Sequence, residues 1–179
     1  MSNATYPNPG LKWGVIAAVV VIATGIALYY TDQPTFFSLK FSFIQLFICA
    51  IIGLLAGLEK RRHLGGFIGF KDAIQPIFTT FVIGTLAGTL LTYIVCNYID
   101  PELPARMKAM DLKMLEEMQQ SHNTQGITDA DLNDALTKLK QQDYSLTFVA
   151  SMLSYFTGLF LDFVVAAILA VIIRKKRIA

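Results

Sequence analysis

The chain has 179 residues, 54% hydrophobic and 16% charged, with a mean hydropathy of +0.52 and a formal net charge of +2. A water-soluble fold of this size has too little polar surface to cover so much apolar side chain, so the composition points to an integral membrane protein. The small net charge argues against a nucleic-acid partner, and the two cysteines, Cys49 and Cys96, lie inside apolar runs with no CxxC and no histidine at ligand spacing. No disulfide framework, metal site or cofactor is expected.

Residues 1–10 are polar and contain proline instead of a basic n-region, and no A-x-A-like site follows the first apolar run, so that run is expected to remain as a membrane helix. Crossing about 30 Å of hydrocarbon takes roughly 20 helical residues, and the stretches 14–30, 39–58, 73–98 and 146–173 meet that need with few or no charges. The first is short, but Lys12 and Trp13 at one end and Tyr29 and Tyr30 at the other are the anchors expected at bilayer interfaces. Backbone groups in lipid must be satisfied within the segment, which makes these runs helices. The expected architecture is all-α: three transmembrane helices over 1–98, a non-cytoplasmic (periplasmic) amphipathic helical hairpin over 99–145, and a fourth transmembrane helix with a basic tail over 146–179.

Four crossings put both termini and the loop 59–72 on one side. That side carries Lys12, Lys60, Arg61, Arg62, Lys71, Arg174, Lys175, Lys176 and Arg177 close to the helix ends. The five basic residues of the long segment are diluted and outnumbered by nine acids from Asp100 to Asp143. The positive-inside rule therefore assigns both termini to the cytoplasm. The basic clusters read as lipid-headgroup anchors, since they lack the aromatic interleaving of a nucleic-acid surface.

The second and third spans contain Gly53-Leu-Leu-Ala-Gly57 and Gly84-Thr-Leu-Ala-Gly88, each a G-x-x-x-G motif that lets helix backbones approach closely, with an intramolecular contact favoured. Between these spans, residues 65–70 form an interfacial elbow and not a phosphate loop, because no Lys-Ser/Thr follows the glycines. Pro76 falls in the first turns of the third span, where it is tolerated or bends the helix.

In the insert, Leu103, Met107, Met110, Met114, Leu115 and Met118 recur at steps of three or four. A turn is expected over 121–126, with His122 as a solvated residue in it. A second helix follows, capped by Thr128, with acids at Asp129 and Asp131, Ile127 stapled on Leu132, and Leu136 and Leu139 further along. Packing within the hairpin is the simplest account of the methionine stripe. A partner-binding face made of Met107, Met110, Met114 and Met118 is a sharper one, and soft-metal capture by the thioethers ranks last.

Asp162 breaks the apolar rule of the fourth span. Twelve residues separate it from Arg174, roughly 18 Å at 1.5 Å per residue, near the bilayer midplane. The same depth in the other helices falls at Thr24, near Gln45 and at Thr85, so an intramembrane polar layer of Thr24, Gln45, Thr85 and Asp162 is expected, with Asp162 facing inward and hydrogen-bonded. An acid at such depth is a functional candidate; with no Lys or Arg partner, helix packing is the simpler reading.

Gly-Phe-Ile-Gly-Phe-Lys-Asp-Ala over 66–73, Asn97-Tyr-Ile-Asp-Pro101, the Met/Glu-rich insert and the basic end of the fourth span together resemble a family of small bacterial four-helix inner-membrane proteins known only as a domain of unknown function. The resemblance implies a bacterial cytoplasmic-membrane location with the insert in the periplasm, and it implies no activity. With no nucleophile, base and oxyanion constellation, an enzyme is not expected; His63 and Asp72 lie near the interface without a nucleophile or ligand set. The expected partners are the lipid bilayer and a membrane protein or further copies of the chain. The expected role is a scaffold or accessory subunit, with a small-solute or proton-linked transport unit using Asp162 as the alternative.

Overall fold

The computed structural model describes residues 8–120, 129–141 and 144–175. The helices are α1 (Pro9–Thr31), α2 (Gln33–Phe36), α3 (Leu39–His63), α4 (Phe70–Ile94), α5 (Leu103–Gln120), α6 (Asp129–Gln141) and α7 (Phe148–Ile173), and α4 continues into a π-helical turn over Val95–Ile99. Four of them, Pro9–Thr31, Leu39–His63, Phe70–Ile99 and Phe148–Ile173, are long and apolar enough to span a membrane. The pair α5 and α6 lies between the third and fourth in the chain. The chain is thus an all-α, multi-pass membrane protein. The expected turn over 121–126, His122, Ile127, Thr128, Lys176 and Arg177 lie outside the described residues.

Several helices overrun their apolar stretches because polar groups close their ends. Asn8 accepts a hydrogen bond from the Gly10 N–H at 3.1 Å with Pro9 in the first turn, which starts α1 ahead of Gly14. Lys60, Arg61, Arg62 and His63 occupy the last turn of α3, where cations complement the helix dipole. Beyond it, Gly65 at φ 75° allows the Gly66 N–H to reach the Arg61 carbonyl at 2.9 Å and its own N–H the Arg62 carbonyl at 3.1 Å.

Two compact units emerge, one from the chain up to Thr92 with that from Phe148 onward, the other over Tyr93–Thr147. In the first, small residues set the helix contacts. A Cβ on Gly84 would lie 2.6 Å from Cys49 Sγ, and one on Gly88 would collide with the Gln45 amide. Conversely, Cβ atoms on Gly53 and Gly57 would lie 3.2 Å and 3.0 Å from Ile77. Each glycine pair of α3 or α4 therefore receives side chains of the other helix within the chain, and Gly57 also receives Ile173 of α7, 2.5 Å from an added Cβ. A third pair, not singled out from the sequence, lies on α1: a Cβ on Gly10 would lie 2.8 Å from the Pro76 backbone and one on Gly14 2.5 Å from Ile83. Pro76 is buried inside α4 at that crossing.

The ends of this unit are pinned. Glu59 of α3 accepts from the Trp13 indole N–H at 2.5 Å and pairs with Lys12 at 3.1 Å, joining α3 to α1. Ile68 and Lys175 exchange backbone hydrogen bonds at 3.1 and 3.2 Å, so the elbow 65–70 is tied to the residues after α7. At the opposite end Asp32 caps α2 by accepting from the Thr35 N–H, and the tilted rings of Phe36 and Phe41 lie 5.3 Å apart between centroids.

In the second unit α5 and α6 pack together, with Leu103, Met107, Leu132 and Leu136 buried, and Gln119 donates to Asn133 at 2.9 Å. Met118 and Leu115 are half-buried, whereas Met110 and Met114 stay exposed. The methionine stripe thus splits, because the packed face of α5 is centred to one side of it.

The interleaved glycines make a measurable contrast. Gly84→Val is expected to cost about 1–3 kcal/mol through overpacking against Cys49. Gly158→Ala, where an added Cβ meets nothing within 4 Å, is expected to leave stability unchanged. Thermal unfolding in mild detergent, followed by the reactivity of buried Cys49 and Cys96 with a thiol dye, separates the two.

Candidate functional site

The buried face of α7 runs through Ser151, Tyr155, Asp162, Ala166, Ala170 and Ile173. One step of this stripe, between Tyr155 and Asp162, falls on Gly158, whose missing side chain leaves open space. There a cleft of about 250 Å³ opens between α3, α4 and α7. Its polar lining includes Gln45 from α3, Thr85 and Thr89 from α4, and Ser154, Tyr155 and Asp162 from α7; Leu39, Phe43, Leu46 and Leu161 supply apolar walls.

Asp162 is only 4% exposed and accepts a hydrogen bond from the Thr85 hydroxyl at 2.6 Å. The other threonines around it behave differently. Thr79, Thr80, Thr89 and Thr92 each donate to the carbonyl four residues earlier on α4, the usual way a helix in lipid satisfies a hydroxyl. Thr80 also comes within 3.4 Å of the Gly10 carbonyl of α1, and Thr85 alone among these five donates to a side chain of another helix. Tyr155 donates to the Val82 carbonyl at 3.3 Å, a second polar link from α7 to α4. Gln45 is 8% exposed and lies across Gly88.

Three of the four residues expected in the polar layer, Gln45, Thr85 and Asp162, meet at this cleft. Thr24 does not line it; it is half-buried on α1, whose buried face is made of Gly14, Ala17, Val21 and Gly25. Tyr155, Gly158, Ser154 and Thr89 were not singled out from the sequence. The four-residue step from Gly158 to Asp162, which puts a glycine beside the acid on one helix face, was the signal for the first of them. His63 pairs with Glu59 at 3.7 Å, and Asp72 lies in the first turn of α4. Among the described residues no three His, Cys, Asp or Glu side chains converge as a metal set.

The second unit holds its own cleft, about 370 Å³, bordered by Asn97, Pro101, Pro104, Lys108 and Tyr144. Asn97 donates to the Tyr93 and Leu146 carbonyls, both at 2.9 Å, closing the base of the insert. Tyr144 donates to Asp111 at 2.9 Å. Burial, and secondarily the Asp111 hydrogen bond, push the Tyr144 phenol up to about 12. Because the folded value lies above the ordinary 10.0, the stability that Tyr144 contributes is present below pH 10 and lost as pH rises towards 12. The difference in absorbance titration at 295 nm between wild type and Tyr144→Phe is expected to centre near the upper figure.

The Asp162–Thr85 link also has a defined consequence. Asp162→Asn, which keeps shape and hydrogen-bonding capacity, is expected to leave unfolding nearly unchanged. Asp162→Leu strands the Thr85 hydroxyl and should lower stability by about 1–2 kcal/mol. Comparing the two by the thiol-dye assay checks this.

No curated protein and no solved structure matches the chain. A family described as "Protein of unknown function (DUF4199)" matches residues 12–175. That match runs from the start of α1 through the last residue paired with the elbow, taking in all four spans, the cleft and the insert, and the chain belongs to the DUF4199 family.

Proposed function

We propose that the protein is a non-enzymatic scaffold or accessory subunit of a membrane complex in a bacterial cytoplasmic (inner) membrane, with both termini cytoplasmic and the insert on the opposite side. The observation that carries this reading is the outward edge of α5. Met110 and Met114 are 53% and 63% exposed although the α5–α6 pair completes its core without them. Unbranched, polarizable methionines on a helix suit adaptable contact with another protein. The orientation rests on Lys12, Lys60, Arg61, Arg62, Lys71, Arg174 and Lys175, which belong to the end of the helices where Glu59 and the Ile68–Lys175 pairing lie.

The cleft at Asp162 favours a second reading, an oligomeric small-solute or proton-linked transport unit. Four spans are few for a monomeric transporter. Gly53, Gly57, Gly84 and Gly88 are occupied within the chain, so subunits would meet through outward apolar faces such as that of α7 around Phe156 and Phe160.

The scaffold reading is tested by placing a photo-crosslinking side chain at Met110 or Met114 in cells. A discrete adduct with one other membrane protein is expected, and the double variant Met110→Lys, Met114→Lys should lose that protein on purification while keeping its helix content. Repeated recovery of the chain with only lipid attached would end the scaffold reading.

A further inference from the structure

We propose that the cleft between α3, α4 and α7 binds a small amphiphilic organic ammonium ion, with Asp162 as its counter-ion. The inference deepens the second reading above by naming the ligand, and it rests on that reading's use of Asp162 but not on transport.

Two side chains at the cleft are more than nine-tenths buried and short of partners. Asp162 receives one hydrogen bond, from Thr85 to Oδ2, and its other oxygen has none from the described residues. Gln45 has no hydrogen bond from the described residues at all, although its amide is held in place over Gly88. Among the described residues Ser151 Oγ is the one side-chain polar atom sealed from its surroundings without a partner, so the unbonded Asp162 oxygen and Gln45 amide are not sealed off but open onto the cleft that they line. In hydrocarbon, where bulk water is absent, the need of polar groups for partners is stricter. A bound ligand that brings positive charge to the carboxylate and contact to the amide supplies what the chain omits.

The character of the ligand follows from what surrounds Asp162. The titratable groups facing it are Cys49 from α3 and Tyr155 from its own helix; α4 offers the Thr85 hydroxyl, and no lysine, arginine or histidine lines the cleft. A cation therefore meets one uncompensated carboxylate and neutral oxygens. A single carboxylate is a poor substitute for the oxygen shell of a hard metal ion, which takes six or more ligands. An organic ammonium sheds water more readily, and Phe43 and Tyr155 line the cleft with aromatic rings, which attract such cations once desolvated. Leu39, Leu46 and Leu161 receive its apolar part. The volume, about 250 Å³, holds a headgroup with one short substituent. The space exists because Gly158 occupies the stripe position where any other residue would project a side chain.

A proton and the ammonium compete for the same carboxylate. Binding a fixed positive charge releases one proton wherever Asp162 was protonated, so affinity rises with pH, by up to about tenfold per unit while the carboxyl titrates.

The test uses the purified full chain in a mild non-ionic detergent and equilibrium dialysis against labelled benzyltrimethylammonium, whose charge does not depend on pH. One saturable site per chain is expected, tightening with pH, with benzyl alcohol unable to compete. Asp162→Asn should weaken binding at least tenfold. Gly158→Leu should do the same by filling the cleft, where an added Cβ meets nothing, and its unfolding temperature is measured alongside to establish that it folds. Should Asp162→Asn fail to fold, Gly158→Leu decides. Unchanged binding in either folded variant, or equal competition by benzyl alcohol, overturns the proposal. In proteoliposomes, binding without flux would end the transport reading and leave this one standing. Asp162-dependent proton flux without ammonium binding would do the reverse.

Discussion

The close approach of α3 and α4 governs the rest of the membrane unit. Lipid tails are as apolar as leucine, so nothing analogous to hydrophobic burial draws two such helices together, and their contact depends on shape. Gly84 and Gly88 remove side chains from one helix where Cys49 and Gln45 of the other need room, and Gly53 and Gly57 return the arrangement for Ile77 and Phe81. Gln45 is thereby laid across a backbone instead of into lipid. Thr85, one residue beyond Gly84, is turned towards α7.

From this contact the polar chemistry of the bundle follows. Most hydroxyls of α4 are absorbed by its own carbonyls, which keeps the helix self-sufficient in hydrocarbon. Thr80 also reaches the Gly10 carbonyl of α1, while Thr85 and the Val82 carbonyl are engaged by α7, through Asp162 and Tyr155. The α4–α7 contact is therefore partly a hydrogen-bonded one, reinforced by the perpendicular Phe78–Phe163 pair at 5.5 Å. A bond across helices in lipid has few competing partners, although its measured worth stays near that of an ordinary hydrogen bond. Its specificity matters more than its strength: it fixes the rotation of α7, and with it the placement of Gly158 beside the cleft.

At the charged end, Glu59 gathers Lys12, Trp13 and His63 onto one carboxylate, so residues that would otherwise be separate headgroup anchors also join α1 to α3. The backbone pairing of Ile68 with Lys175 ties the elbow to the end of α7, and Ile68 is buried by it. In the insert, the π-helical turn over Val95–Ile99 ends α4 with the Asp100 N–H bonded to the Val95 carbonyl at 2.7 Å, and Asp100 pairs with Arg106 at the start of α5.

Length, hydropathy and backbone satisfaction were enough to read four membrane helices and an amphipathic pair from the sequence, because those constraints act on each segment alone. The common level of Gln45, Thr85 and Asp162 was also legible, since a helix rises by a constant amount per residue, and the three line one cleft. Depth says nothing about rotation. Thr24 shares that level and lies away from the cleft, and Met110 and Met114 share the stripe of Met107 and lie outside its packed face. A helix in lipid is apolar towards both its neighbours and its solvent, so periodicity does not mark which face turns inward, as it does in water. Small residues carry that information instead, and only when seen against their partners: Gly10 and Gly14 against α4, Gly88 beneath Gln45, and Gly158 against nothing. The sequence by itself determined the spans and their polar residues; the tertiary structure decided which of those residues meet, because helix rotation in a bilayer is set by side-chain fit between helices.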